Sequence, residues 1–255
     1  MKIMVLGASG SEVPGHNTPA FLVDGKILLD AGTVGQTLSI RQEHGVRHIL
    51  LTHAHFDHIK GIPFLLDNLV IRSTGNSVTV MSGKDVLDDL RKNIFNDRIW
   101  PDFTKIPSAD RPSLVYKVIH PSKPVLVEGY KVVAEKVTHT VPAYGFIVEN
   151  AAGKAIAYTG DTGPTDRFWV KMAEYNVKGL IVETSFPNHM EELALTTGHL
   201  TPLLLEREIA KMPSPPPRIF VMHLKPQFHN EIEIEIDSLG IEGIEFLREG
   251  EIVEL

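Results

Sequence analysis

The chain has 255 residues, 43% of them hydrophobic and 22% charged, a balance that sustains a buried core and leaves no apolar run near the ~20 residues a membrane span needs. A net charge of −7 without a dense Lys/Arg cluster excludes the electrostatic footprint of a protein that grips long nucleic acid, and leaves a small anionic substrate whose charge is met locally by metal ions. The absence of cysteine removes disulfides, thiolate metal sites and cysteine nucleophiles together, so any metal must be held by histidine and carboxylate.

Strands are predicted at Lys2–Leu6, Ala20–Val23 and Lys26–Leu29, the last closing on Asp30-Ala31-Gly32, with a helix over Thr33–Glu43. Met1–Gly15 reads as a first strand running into a glycine turn rather than a signal peptide, and a cytoplasmic protein is expected. A strand at His48–Leu51 leads into a histidine-rich segment followed by a helix at Ile59–Leu66; Val78–Met81 and Asp85–Phe95 repeat strand then helix. After an irregular, Pro-containing stretch, strands dominate from Val115 to Thr159, among them Val132–Val137, Tyr144–Val148 and Ala155–Thr159. Helices at Asp166–Tyr175, Thr201–Lys211 and Glu231–Leu239 alternate with strands Gly179–Glu183 and Ile219–Met222, before a terminal hairpin about Glu249-Gly250. Pro213–Pro217 reads as a stiff loop. Two halves of strands and helices predict two sheets face to face with helices outside, in one domain over 1–255 with an insert at about 96–112 near the active site.

The strongest chemical signal is His53-Ala54-His55-Phe56-Asp57-His58. Residues two apart at a strand end project to the same side, so His53 and His55 can bind one ion while the following turn aims Asp57 and His58 at a second. Later strand ends offer His139, Asp161 and His223, each weak alone but jointly able to complete two sites: His53, His55 and His139 for one ion, Asp57, His58 and His223 for the other, Asp161 between them. His44, His48, His120, His189 and His229 lack motif support and are assigned to structure or surface.

This arrangement resembles the binuclear metallo-β-lactamase superfamily over essentially the whole chain, which implies an α+β, four-layer αββα sandwich and two divalent ions, zinc foremost with manganese or iron fitting the same ligands. Asp30 matches the superfamily's first motif, where an aspartate supports a ligand by hydrogen bonding; a turn aspartate would read the same. His58 stands where many β-lactamases of the fold have arginine, which points to the phosphodiesterase branches. Glu183-Thr184-Ser185-Phe186-Pro187-Asn188, Gly198-His199-Leu200-Thr201-Pro202 and His223-Leu224-Lys225-Pro226 resemble the class II 3′,5′-cyclic-nucleotide phosphodiesterases, and the insert Arg98–Phe103 does so less specifically. Phe56 departs from the leucine usual in that signature, apolar for apolar at a non-ligand.

The resemblance implies hydrolysis of cyclic AMP or cyclic GMP to a 5′-monophosphate. Two divalent ions about 3.5–4 Å apart lower the pKa of a shared water and clamp the phosphate while the hydroxide attacks in line. The departing alkoxide needs a proton, for which His199 is the candidate, oriented by Glu183; Asp57 would act both as ligand and in orienting the nucleophile. A similar Glu/His pair occurs in the tRNA 3′-processing nucleases of the superfamily, the alternative reading, and a helix-start histidine beside the Thr201-Pro202 cap would look the same. A non-catalytic binding module would be expected to have lost a ligand. For the substrate, Trp100 and Phe103 could stack on a purine or equally form core beneath the insert. Lys225 could neutralise a phosphate oxygen or be solvated, and His16 could line the pocket from the first glycine loop. Fold analogy allows a homodimer; no membrane partner is expected.

Overall fold

The computed structural model describes residues 1–71 and 77–255. The first half runs β1 (Lys2–Gly7), β2 (Ala20–Val23), β3 (Ile27–Leu29), α1 (Ile40–Glu43), β4 (His48–Leu50), α2 (Phe56–Ile59), α3 (Gly61–Ile71), β5 (Val78–Ser82) and α4 (Lys84–Asn93). A two-residue ribbon, β6 (Pro107–Ser108) with β7 (Arg111–Pro112), precedes β8 (Leu114–Val118). The second half runs β9 (Val125–Val127), β10 (Tyr130–Lys136), β11 (Tyr144–Glu149), β12 (Ala155–Tyr158), α5 (Arg167–Met172) and β13 (Val177–Glu183). It ends with α6 (Glu191–Thr197), α7 (Pro202–Ala210), β14 (Ile219–Met222), α8 (His229–Ser238), β15 (Ile244–Phe246) and β16 (Ile252–Glu254).

Among the described residues two seven-stranded sheets form, one in the order β16-β1-β2-β3-β4-β5-β8, the other β15-β14-β13-β12-β11-β10-β9. The period-2 alternation of the strands explains why they stack. Val132, Ala134, Phe146, Val148, Ile156, Tyr158 and Phe220 face the other sheet in one core. Their neighbours Val133, Ile147, Ala157, Leu180, Val182 and Val221 turn outward into a second core with residues of α5, α7 and α8. Strands buried on both faces read as near-continuous apolar runs, which is what Gly179–Glu183 and Ile219–Met222 are. The result is the metallo-β-lactamase sandwich, helix, sheet, sheet, helix.

Two sequence expectations are corrected. Thr33–Glu43 is helical only in its last turn, because Ser39 with Gln42 makes a capping box that starts the helix at Ile40. The terminal strands do not form a hairpin: β15 pairs in parallel with β14 and β16 antiparallel with β1, so the turn at Glu249-Gly250 carries the chain from one sheet to the other. Helix α6, unforeseen, occupies the stretch before Gly198. No helix among the described residues is long and apolar enough to cross a membrane.

Candidate metal centre

Beyond β4 the chain runs through His53 to His55, the extended N-cap of α2, so Asp57 and His58 sit on the first turn of a helix. His139 follows β10, Asp161 follows β12 and His223 follows β14. Gly160 makes the Asp161 turn possible. Its φ is +61° and a Cβ there would lie 2.6 Å from the Thr52 side chain, so only glycine lets this strand end close on the segment bearing His53. Gly198 does the same on the other flank: it ends α6 in the left-handed conformation, and its carbonyl accepts the His139 Nδ1–H at 2.8 Å.

The seven expected ligands converge. His53, His55, His139 and Asp161 form one group able to hold a metal ion; Asp57, His58, Asp161 and His223 form another, with Asp161 common to both. Asp161 Oδ2 lies 3.7 Å from His53 Nε2 and 3.3 Å from His223 Nε2, and its Oδ1 lies 3.3 Å from His58 Nε2. His139 Nε2 and His55 Nδ1 are 3.2 Å apart, two nitrogens turned to one point. His53 Nε2, His58 Nε2 and Asp161 Oδ1 are buried with no hydrogen-bond partner. Orphaned polar atoms at that depth are costly unless something binds them, and a mixed nitrogen and oxygen set suits a divalent ion.

Electrostatics agree with that fit. Burial holds His53 well below the ordinary histidine range, and likewise lowers His55 and His139, leaving neutral rings with lone pairs to give. Burial opposes charge on Asp161 too, but His223 and His58 outweigh it and keep the carboxyl well below its usual range. At Asp57 burial is again overcome, here by the His223 hydrogen bond and the nearby His58. His58 goes the other way: burial is outweighed by Asp161 and Asp30, which raise it well above normal. A cation at Nε2 would replace the proton those carboxylates attract.

Asp30 anchors the second group from behind. Fully buried, it accepts the Thr52 N–H at 2.7 Å on Oδ1, and on Oδ2 the Thr52 hydroxyl at 2.7 Å, His58 Nδ1–H at 2.7 Å and the Tyr158 hydroxyl at 2.6 Å. That holds one His58 proton on Nδ1 and leaves Nε2 as the nitrogen a cation would take, with Asp30 as the outer partner expected of a ligating histidine. Asp30 has φ +54°, which asparagine tolerates, so Asp30→Asn keeps the backbone while its NH2 must face a donor in either orientation. The expected result is a metal affinity lower by about 10–100-fold in chelator competition, and a melting transition lowered by about 1–3 kcal/mol of lost stability. Wild-type affinity in this variant would remove Asp30 from the site.

Glu183, the last residue of β13, and His199, in the loop between α6 and α7, form the expected pair, Oε1 to Nδ1 2.7 Å. The His199 ring is 5.2 Å from that of His139 and lies stacked on His223 at 5.3 Å and 20°. Burial works against its charge, yet the Glu183 carboxylate prevails and holds the imidazole above its ordinary value. Glu183, His199 and His223 also lie close enough to hold an ion, but Glu183 is already met by four donors, from Thr162 N, His199, Ser185 Oγ and Leu200 N.

The four proposed substrate contacts are less well gathered. Phe103 is 2% exposed and set edge-on to Phe95 in the core, so it has no face to offer a base. Trp100 is half-buried against Phe64, ring centroids 5.5 Å apart. His16 turns instead into a cavity of about 300 Å³ shared with His229 and Arg248, its Nδ1 3.2 Å from Ser9 Oγ. Lys225 Nζ is bound to the Gly10 carbonyl at 2.5 Å and lies near enough to His199 to depress its charge. Sequence reasoning missed Thr52, Tyr158 and Ser185, buried hydroxyls whose only signal was adjacency to a ligand or strand end.

Residues 26–224 match the β-lactamase superfamily domain. A Yersinia pestis protein named as a probable 3′,5′-cyclic-nucleotide phosphodiesterase is 28% identical over 232 residues, 79% of this chain, which spans 65% of that relative's length. A ribonuclease Z of Bradyrhizobium diazoefficiens is 42% identical over 91 residues, 32% of this chain and 30% of that one. Unliganded yeast PDE1 has the same fold, with a TM-score of 0.84 at 21% identity over 100% of this chain and 99% of the other.

Proposed function

The chain belongs to the β-lactamase superfamily, and from that membership we propose that it is a metal-dependent phosphodiesterase that opens 3′,5′-cyclic nucleotides, cyclic AMP or cyclic GMP, to 5′-monophosphates. The observation that carries the reading is the buried Glu183–His199 pair, 2.7 Å apart, alongside two complete ligand groups that share Asp161. A centre with ligands alone can hydrolyse activated acyl groups; a strongly basic alkoxide leaving group calls for a proton donor as well. The phosphodiesterase name of the Yersinia relative supports the substrate class.

Two divalent ions, zinc by the histidine-rich ligation, would supply a nucleophile from water at neutral pH and a clamp for the phosphate oxygens. Around them each residue has its task. His53, His55 and His139 would hold one ion and Asp57, His58 and His223 the other, with Asp161 available to both. Asp57, half-buried and kept ionised, also accepts a hydrogen bond from the attacking water and so orients it. His199 donates the Nε2 proton to the leaving 3′ oxygen while Glu183 holds Nδ1. Lys225 keeps ammonium protons beyond the one given to Gly10 and neutralises a phosphate oxygen.

The test is incubation of the metal-loaded protein with cyclic AMP, cyclic GMP and a tRNA precursor, with chromatographic separation of products. A 5′-monophosphate released from a cyclic nucleotide, and abolished by chelator, is the expected result. Inertness toward both cyclic nucleotides with cleavage of the precursor would transfer the assignment to tRNA 3′ processing.

A further inference from the structure

Ser185 joins the ligand cluster to the proton donor. Two residues beyond Glu183 and wholly buried, it donates its hydroxyl proton to Glu183 Oε2 at 2.8 Å and lies 2.8 Å from His223 Nδ1. A hydroxyl has one proton; with that proton on the carboxylate, Oγ presents only lone pairs to His223, and Nδ1 must be the protonated nitrogen. Nε2, 3.3 Å from Asp57 Oδ2 and 3.3 Å from Asp161 Oδ2, is then the nitrogen whose lone pair a cation would take, in place of the proton shared with Asp57. The other oxygen of the same carboxylate takes the His199 Nδ1–H at 2.7 Å.

We propose that Ser185 is a positioning residue which, through one shared carboxylate, sets the ligand tautomer of His223 and the orientation of His199 together. The surroundings leave it little alternative. Glu183 has no acceptor site to spare, since Thr162 N and Leu200 N occupy the remaining ones. Gly10 packs close against the His223 ring, since a Cβ there would be 2.8 Å from Nδ1. What the ring can do, once Ser185 stops accepting, is move its proton to Nε2 and point it at Asp57 and Asp161, where a cation would have to sit. Loss of one hydroxyl thus weakens metal binding and loosens the proton donor at once.

The first half of this proposal concerns metal affinity alone; the second rests on the reading of His199 as general acid. Ser185→Ala and Ser185→Thr are compared with wild type in two measurements: zinc affinity by competition with a chromophoric chelator, and turnover at saturating zinc on cyclic AMP and on bis(p-nitrophenyl) phosphate, whose leaving group needs no acid. Ser185→Ala is expected to weaken one of the two ions by about 10–100-fold and to slow cyclic AMP more than the aryl diester, with Ser185→Thr restoring both. Wild-type zinc affinity in Ser185→Ala overturns the proposal, and an unchanged ratio of the two rates overturns the link to His199. Inertness of the wild type toward cyclic AMP counts against the substrate reading only, because the zinc affinity of the variant still decides the role of Ser185.

Discussion

Asp161→Ala is expected to retain no more than one ion per chain after dialysis, against two expected of the wild type, and to lose its hydrolytic turnover with the metal. Asp161 is 1% exposed and is the residue common to both ligand groups, within 3.3 Å of His58 and His223 and 3.7 Å of His53. Its removal withdraws negative charge from a place where three imidazoles converge, so an ion at either position loses a ligand and the neutralising charge together. The loss in affinity should exceed the ~10–100-fold typical of an outer partner such as Asp30. Asp161→Asn, with nearly the same volume, separates charge from packing: it should fold as the wild type does and still bind poorly. Elemental analysis of both variants decides the matter, and full two-ion occupancy in Asp161→Ala would mean that the bridge lies elsewhere.

The candidate ligands were legible in the sequence because metal binding imposes local rules of spacing. Four ligand-capable residues crowd into His53–His58, a density that a solvated loop has no need of, and His139, Asp161 and His223 each stand just past a stretch that reads as a strand. Pair identity across the sheets was not legible: a Glu-Gly turn between two strands reports chain reversal, whereas β15 and β16 join different sheets. Nor does an aromatic in an irregular segment say which way it points. Phe103 reads the same whether it stacks on a ligand or, as here, fills the core against Phe95. The buried hydroxyls were hardest, since a serine such as Ser185 differs from any loop serine only through partners that are distant in the chain, among them His223.

His199→Ala is expected to keep both ions and to lose about 10²–10⁴ in turnover of cyclic nucleotides, the range general acid catalysis contributes. The ligand groups are complete without it, so metal content by elemental analysis should not change; unchanged turnover would end its assignment as the proton donor. The pH profile adds a test that a packing role could not imitate. An acid works in its protonated form, so the rate falls as pH rises through its pKa. Glu183 holds that pKa above the ordinary value against the effect of burial, which keeps the donor charged toward neutral pH. Glu183→Gln removes the carboxylate and leaves burial opposed only by the weaker influence of Asp161, so the His199 pKa drops and the descending limb of the profile moves to lower pH. A limb that stays in place in Glu183→Gln, with turnover merely scaled down, would assign that limb to a group other than His199.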